Sequence, residues 1–256
     1  MQPIVRALKI LRTLGMSQAG LTLSELATHI GLPVSTTYRI AQVLQDEGFL
    51  IRTPAGKRYM IGPSARTLVS ETSGAYVRQA GHSYASELNR MTQETVFLSE
   101  LVGNQAVCIA VYEGMRPLRF LVRPGGTLPL HAAAGARAIL AWLPDLDRTH
   151  VLDGIEYTRW TSKTITTPSE LYRKLDETRE QGYDICDDEL EERAWAVGAP
   201  IFDLTNRVRA SITVVAPLES MSDQVRRASV IDLTEKAARS ISTELGFFET
   251  AKSPDS

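Results

Sequence analysis

The chain has 256 residues, of which 43% are hydrophobic and 23% charged, and its formal net charge is −2. No apolar run approaches the ~18 residues of a membrane span, the N-terminus lacks the layout of a signal peptide, and two cysteines do not make a disulfide framework. We therefore expect a cytoplasmic protein with no membrane partner, built as one large or two ordinary domains.

The first predicted elements are two helices near the N-terminus. Helical spacing places Ala7, Leu8, Leu11 and Leu14 on the core side of a helix over about residues 4–16. Thr22 and Glu25 then have the spacing of a capping box, which predicts the start of a second helix. Gly31 can adopt the left-handed conformation that ends it, and Pro33 suits the start of a third.

The third helix, about residues 34–47, has two different faces. Thr37, Ile40, Ala41 and Leu44 share one side, which should pack on the second helix. The other side chains of this helix include hydroxyls, an amide, a tyrosine and an arginine, which are groups that read base edges or contact phosphates. We predict that residues with such side chains bind DNA, together with Thr37 and two basic residues further along the chain. The full set is Ser35, Thr36, Thr37, Tyr38, Arg39, Gln42, Lys57 and Arg58.

Two short strands follow, over residues 49–52 and 58–61, and Lys57 and Arg58 lie at the tip between them. Together with the helices they predict a winged helix-turn-helix domain over residues 1–62. Residues 1–66 hold eight Lys/Arg and three Asp/Glu, a net charge of +5, so residues 67–256 carry −7. A basic head on an acidic body is the charge distribution expected of a nucleic-acid-binding protein.

The sequence resembles the IclR-type bacterial transcriptional regulators. The resemblance covers about residues 4 to 246, and the segments that carry it are 23–27, 31–39, 47–50, 128–132, 182–183, 187–189 and 199–203. It implies a DNA-binding domain followed by a domain that binds a small organic molecule, often an organic or aromatic acid. It also implies a homodimer or a dimer of dimers on double-stranded, pseudo-palindromic operator DNA.

The remaining chain predicts an α+β effector-binding domain with a central antiparallel sheet. A linker helix is predicted over residues 63–75, with Gly74 as a hinge, and the sensor domain over residues 76–256, with a disordered tail at 252–256. Strands are predicted over 95–102, 106–112, 118–122, 183–187, 195–202 and 208–216. Helices are predicted over 76–91, from Ala132 to about 143, and over 168–181 and 223–245.

Motifs for catalysis are absent from the sequence. It holds no nucleophile elbow, phosphate loop or dinucleotide-binding glycine motif, and its four histidines have no metal-ligand spacing. We predict no catalytic residue, no metal ligand and no cofactor. His131 is interpreted as a structural histidine, and the acidic run 187–192 as a solvated loop, with a cation site as the alternative.

The resemblance implies an effector site made by the small-residue helix start, the acidic loop and the strand after it. Carried over by position, its residues are Ala134, Gly135, Ala136, Cys186, Asp187, Ala196, Thr213 and Val215. The N–H groups at the helix start could hold a carboxylate. Val215 replaces a hydroxyl and Cys186 an acid of the family pattern, with Trp195 and Phe97 nearby, which favours an effector with an aromatic or alkyl part.

The predicted function is therefore a DNA-binding transcriptional regulator whose operator affinity or promoter activity is modulated by a small organic, possibly aromatic, acid. One alternative is a regulator that binds DNA or a protein partner without a ligand and keeps a vestigial sensor domain. The other is an enzyme that carries a DNA-binding head.

Overall fold

The computed structural model describes residues 2–15, 17, 19–53, 57–65, 73–115 and 122–247. The chain divides into two compact units, Met1–Ala75 and Tyr76–Ser256. Among the described residues, no helix is long and apolar enough to span a membrane.

The first unit is a winged helix-turn-helix, as predicted. Its helices are α1 (Gln2–Gly15), α2 (Leu23–Ile30) and α3 (Val34–Asp46), and its strands are β1 (Leu21–Thr22), β2 (Leu50–Arg52) and β3 (Arg58–Ile61). The wing has three strands in the order β1-β3-β2, where the sequence predicted two. The additional strand, β1, pairs Leu21 with Tyr59, and a strand of two residues carries no periodic pattern by which to recognise it.

The predicted capping box of α2 is present. The Thr22 hydroxyl accepts from the Glu25 N–H at 3.3 Å, and the Glu25 carboxylate accepts from the Thr22 N–H at 2.8 Å. Gly31 ends the helix with a φ of 69°. Such a cap stabilises a helix by about 1 kcal/mol. Local interactions therefore hold both ends of α2, including the turn that leads into α3.

The core of the first unit consists of Ile10, Leu14, Leu26, Ala41, Leu50 and Tyr59. The prediction for α1 was wrong at Leu8, which is 50% exposed, whereas Ile10 is fully buried. Leu8 instead continues a second apolar face of α1 with Ile4 and Val5, which are 69% and 52% exposed.

The second unit is a six-stranded antiparallel sheet with helices on both faces. Its strands are β4 (Thr95–Val102), β5 (Gln105–Tyr112), β6 (Thr127–Leu128), β7 (Asp184–Asp187), β8 (Ala194–Phe202) and β9 (Val208–Pro217), in the order β6-β5-β4-β9-β8-β7. Its helices are α4 (Ser73–Thr92), α5 (Ala134–Leu140), α6 (Asp145–Leu152), α7 (Pro168–Gln181) and α8 (Gln224–Glu244), with a short 3-10 helix at Leu218–Met221.

The two faces of this sheet have separate cores. Trp195, Val197 and Ile212 point to one face and pack with residues of α4 and α8. The other face, which we call the inner face, carries α5, and α7 packs behind that helix. The α+β architecture with a central antiparallel sheet is therefore confirmed.

Four predictions for this part of the chain need comment. Gly74 lies inside α4, so it is not a hinge before that helix, and α6 was not predicted. Residues 63–65 of the predicted linker helix are helical, and residues 66–72 lie outside the described residues. The predicted strand at 118–122 falls almost wholly on residues 116–121, which also lie outside them, as does the tail at 252–256.

One end of β8 extends past its neighbour. β7 pairs with β8 only as far as the Asp184–Gly198 pair, so residues 199–202 have β9 alone beside them in the described structure. Pro200 in this stretch has no N–H, and the Phe202 N–H donates to the Ser242 hydroxyl of α8 at 3.0 Å. The projecting edge is therefore capped by a side chain.

Candidate nucleic-acid interface and inner-face site

The exposed side of α3 carries most of the predicted DNA-binding residues. Ser35 and Arg39 are exposed, Tyr38 is 47% exposed, and Thr36 and Gln42 are half-buried. The Gln42 amide donates to the Asp46 carboxylate at 2.9 Å. Within the described structure no protein group accepts from Arg39, so its guanidinium is available to a partner.

Thr37 belongs to the core and not to this surface. Its side chain is fully buried, and its hydroxyl donates to the Pro33 carbonyl at 3.1 Å. The prediction placed Thr37 both in the packing stripe and among the DNA-binding residues, and only the packing role fits its position.

The wing offers one exposed predicted cation and one that is bonded to the protein. Lys57 is exposed, with a φ of 50°. Arg58 is half-buried and donates to the Gly20 carbonyl at 2.8 Å and to Glu25 at 3.2 Å, so it braces the start of α2. Arg52, which was not predicted, is exposed on β2 with its guanidinium 5.6 Å from the Tyr59 ring centre. Its place at the end of a predicted strand, next to the wing tip, could have identified it as a candidate DNA-binding residue.

The inner face of the sheet gathers half of the predicted effector residues into one apolar cluster. Cross-strand pairs bring them together, because Ala196 lies opposite both Val215 and Cys186. We call the following six buried residues the inner-face cluster: Phe97, Cys108, Ala134, Cys186, Ala196 and Val215. Val111, Val122, Leu128 and Leu190 are partly buried against it.

One buried hydroxyl beside this cluster has no partner among the residues that the structure describes. Thr213 is 1% exposed, and it pairs across the sheet with Phe97 of the cluster. Its Oγ1 makes no hydrogen bond within the described part of the chain. By contrast, the neighbouring Ser99 and Ser211 hydroxyls bond each other at 2.7 Å. Because a buried polar group without a partner is destabilising by about 1–3 kcal/mol, Thr213 stands out as a group that a ligand could satisfy.

The start of α5 lies directly on the sheet. A Cβ atom at Gly135 would lie 2.5 Å from the Thr213 hydroxyl oxygen, and one at Gly198 would lie 2.7 Å from the Ala134 carbonyl carbon. The N-cap residue, Ala133, makes no side-chain hydrogen bond to this helix start. The glycines therefore allow helix and sheet to approach closely, whereas the sequence interpretation had reserved the small residues for approach to a ligand.

The contact at Gly198 gives a testable prediction. Gly198→Ala should lower the unfolding midpoint of the second unit by several degrees, because its methyl group meets backbone atoms and overpacking is destabilising by about 1–3 kcal/mol. Gly81→Ala in α4 is the control, since its methyl group would meet only flexible side-chain ends, those of Leu98 at 2.9 Å and Ile241 at 3.4 Å. Thermal unfolding followed by calorimetry measures both, and an equal midpoint for the two variants would contradict the prediction.

Two residues assigned to this site by sequence, and a third expected near it, lie elsewhere. Asp187 faces away from Cys186 and forms an ion pair with Arg227 of α8 at 3.0 Å. Ala136 packs in the core between α5 and α7. Trp195 points to the opposite face of the sheet, with the Arg227 guanidinium 5.8 Å from its ring centre. We therefore leave Asp187, Ala136 and Trp195 out of the candidate site.

A buried ion-pair network lies next to the inner-face cluster and was missed by the sequence analysis. Arg137 of α5 is fully buried and pairs with Asp184 at 2.7 Å and with Glu189 at 2.5 Å. Burial by itself lowers the pKa of Arg137, but the two carboxylates raise it above the ordinary value of a guanidinium. A single arginine inside an otherwise apolar helix was the signal that could have identified this network.

The two cysteines of the cluster stay uncharged at neutral pH. Burial raises the pKa of Cys108 to about 12 and that of Cys186 to about 11, so both thiols are protonated. Burial also lowers the pKa of His131, whose Nε2 lies 3.0 Å from the Thr158 carbonyl oxygen. In the described ranges no group of three or more His, Cys, Asp or Glu side chains is arranged to hold a metal ion.

Comparisons with known proteins give a consistent result. The family model for the C-terminal part of bacterial IclR transcriptional regulators matches residues 69–243, and the model for the IclR helix-turn-helix domain matches residues 3–54. The regulator KipR of Bacillus subtilis is 31% identical, over 95% of this chain and 97% of KipR. XynR of Escherichia coli is 29% identical, over 96% and 98% of the two chains.

Solved structures share the fold. IclR of Thermotoga maritima has a TM-score of 0.77 at 27% identity and covers 96% of this chain and 100% of its own. An IclR homologue from Microbacterium hydrocarbonoxydans, crystallised with 4-hydroxybenzoate, has a TM-score of 0.82 at 23% identity, with 95% and 98% covered.

Proposed function

The chain belongs to the IclR family of bacterial transcriptional regulators, and from this we propose how its two units act: α3 selects the operator, and the inner-face cluster binds a small organic acid that modulates the binding. The curated relatives it matches are transcriptional regulators, and the protein is accordingly a DNA-binding transcriptional regulator. We propose that it acts by binding alone, without catalysis, in the cytoplasm.

The first unit supplies the operator contacts. Arg39 and Ser35 of α3 reach base edges in the major groove, with Tyr38 and Gln42 beside them, and Lys57 contacts a phosphate from the wing. Arginine pairs with the O6 and N7 atoms of guanine, whereas a lysine on phosphate adds affinity without sequence selection. The net charge of +5 on residues 1–66 supports this assignment.

Two copies bind together on a pseudo-palindromic operator. The apolar face of α1, formed by Ile4, Val5 and Leu8, is half-exposed or more at every position, which supports pairing of two first units through this helix. A symmetric dimer places its recognition helices about 34 Å or a multiple apart. A dimer of dimers extends the same arrangement.

The effector is an organic acid with an aromatic or alkyl body. The observation that carries this proposal is the Thr213 hydroxyl, which has no partner among the described residues and lies beside an otherwise apolar cluster. Such a site favours a ligand with one polar end and an apolar remainder, as in other small-molecule sites. The crystallised homologue that holds 4-hydroxybenzoate supports the same chemical class. Effector binding typically couples to a second site by about 1–3 kcal/mol, which here means a roughly 5- to 150-fold change in operator affinity.

A conservative substitution at Thr213 tests the effector site. A thermal-shift screen of organic and aromatic acids first identifies a ligand. Thr213→Val should then raise the unfolding midpoint of the unliganded protein, because it removes an unsatisfied hydroxyl, and weaken the ligand at least about ten-fold in calorimetry, or about 1.4 kcal/mol.

Ser211→Ala is the matched control, because Ser211 lies on the same strand and face but already has a partner in Ser99. It should lower stability and leave ligand affinity unchanged. If Thr213→Val binds the acid as tightly as the natural chain, the assignment of the site is wrong. A screen without any stabilising acid would favour a ligand-independent regulator, in keeping with the apolar Val215 and Cys186 in this cluster.

A further inference from the structure

Arg137 joins three separate segments of the second unit. From the first turns of α5, its Nη1 donates to the His131 carbonyl at 3.1 Å, and its Nη2 to the Ile185 carbonyl at 3.0 Å. Its Nε donates to the Asp184 carboxylate at 2.9 Å, and Nη1 also reaches Glu189. The guanidinium thus connects the chain before α5, strand β7 and the acidic loop after it.

These bonds hold residues on either side of Cys186 in the chain, and Cys186 belongs to the inner-face cluster. Asp184 and Glu189 flank Cys186, which is a member of the cluster, and Leu190 beside Glu189 packs against it. We call residues 184–190 the pocket wall. The Thr178 hydroxyl fixes the other oxygen of Asp184 at 2.6 Å, so that carboxylate is held from two helices.

We infer that Arg137 is the positioning residue of the effector pocket: it holds the pocket wall against α5 and thereby sets the size of ligand that the pocket accepts. This inference rests on the proposed effector-binding function. An arginine is required because its planar fork presents five N–H donors in fixed directions, whereas a lysine presents three donors from one atom. Lysine keeps the charge but cannot reach all four acceptors at once.

The first test is hydrogen exchange of the full-length protein, measured by mass spectrometry. In Arg137→Lys, amides of the pocket wall should exchange at least ten-fold faster, while those of β9 keep their rates. Arg226→Lys is the matched control, since Arg226 pairs with Glu94, a buried carboxylate near the start of α8, at 2.9 Å. It should leave the pocket wall unchanged.

A second pair of variants separates positioning from general stability. Glu189→Ala should loosen the pocket wall, and Glu189→Gln should restore most of the protection, because its amide oxygen still accepts from Arg137. Faster exchange over the whole second unit, or none at the pocket wall, would overturn the inference.

Ligand size provides the readout that a purely structural role would not change. Dissociation constants are measured for 4-hydroxybenzoate and the larger 2-naphthoate, and Arg137→Lys should shift their ratio at least five-fold toward 2-naphthoate, while Arg226→Lys keeps it. An unchanged ratio overturns the inference and leaves the proposed function standing. If the wall loosens as expected but no acid stabilises the natural chain, the positioning of the wall is supported and the proposed effector function fails.

Discussion

Replacing Arg39 with alanine is expected to reduce the protein's preference for its operator sharply. Arg39 is exposed on α3 and has no acceptor among the described residues, so its guanidinium is available to a guanine edge. A bidentate arginine–guanine contact discriminates by about 1–3 kcal/mol. Operator affinity should therefore fall by roughly 5- to 150-fold, while binding to unrelated duplex falls much less. Fluorescence anisotropy with a selected operator and its scrambled counterpart measures the ratio.

Lys57→Ala provides the comparison on the same unit. It removes the same charge from the wing, so it should weaken all duplexes about equally and reduce the slope of log affinity against log salt by about 1. An Arg39→Ala protein that selects its operator as strongly as the natural chain would refute the assignment of Arg39, whatever the result for Lys57→Ala.

The second large effect is expected from Arg137→Met. The substitution leaves the carboxylates of Asp184 and Glu189 buried without their cation, and breaking a buried ion pair on one side is destabilising by about 3–5 kcal/mol. In a unit of this size that corresponds to a fall of roughly 6–20 °C in the unfolding midpoint. Thermal unfolding followed by circular dichroism and calorimetry tests this.

Two further variants test whether the loss of stability comes from this buried ion pair. Arg226→Met should have a smaller effect, because the Arg226 side chain is 36% exposed and Glu94 keeps the Ser220 hydroxyl at 3.1 Å. Combining Arg137→Met with Asp184→Asn and Glu189→Gln removes every charge of the network and should recover part of the loss. The prediction fails if Arg137→Met unfolds at the same temperature as the natural chain.

Local patterns predicted the first unit well because its elements are close in sequence. The capping box at Thr22 and the left-handed Gly31 are local features, and both are present. The same helical period that placed Thr37 with Ala41 also excluded it from the opposite surface, so its inclusion among the DNA-binding residues was avoidable. Leu8 was misplaced because α1 has two apolar faces, and the pattern alone does not tell which one meets the core.

The sheet of the second unit was predictable, but the side of each residue was only partly so. Alternation along a strand puts neighbours on opposite faces, and applied to Cys186 and Asp187 it would have separated them. The same holds for Trp195 and Ala196.

The network around Arg137 shows what the sequence could not supply. Its carboxylate partners lie 47 and 52 positions further along the chain, and nothing in the helix predicts which acids fold onto it. The small residues around Arg137 were interpreted as room for a ligand, whereas Gly135 and Gly198 chiefly let the helix approach the sheet.

The projecting end of β8 affects how the protein behaves when crowded. An open strand edge is a template on which another chain can extend the sheet, and natural proteins block such edges. Here Pro200 has no N–H to donate to another strand, and the Phe202 N–H already donates to the Ser242 hydroxyl of α8. As long as α8 stays packed on the sheet, this strand edge cannot pair with another chain. Loss of the terminal helix would turn it into a site for self-association.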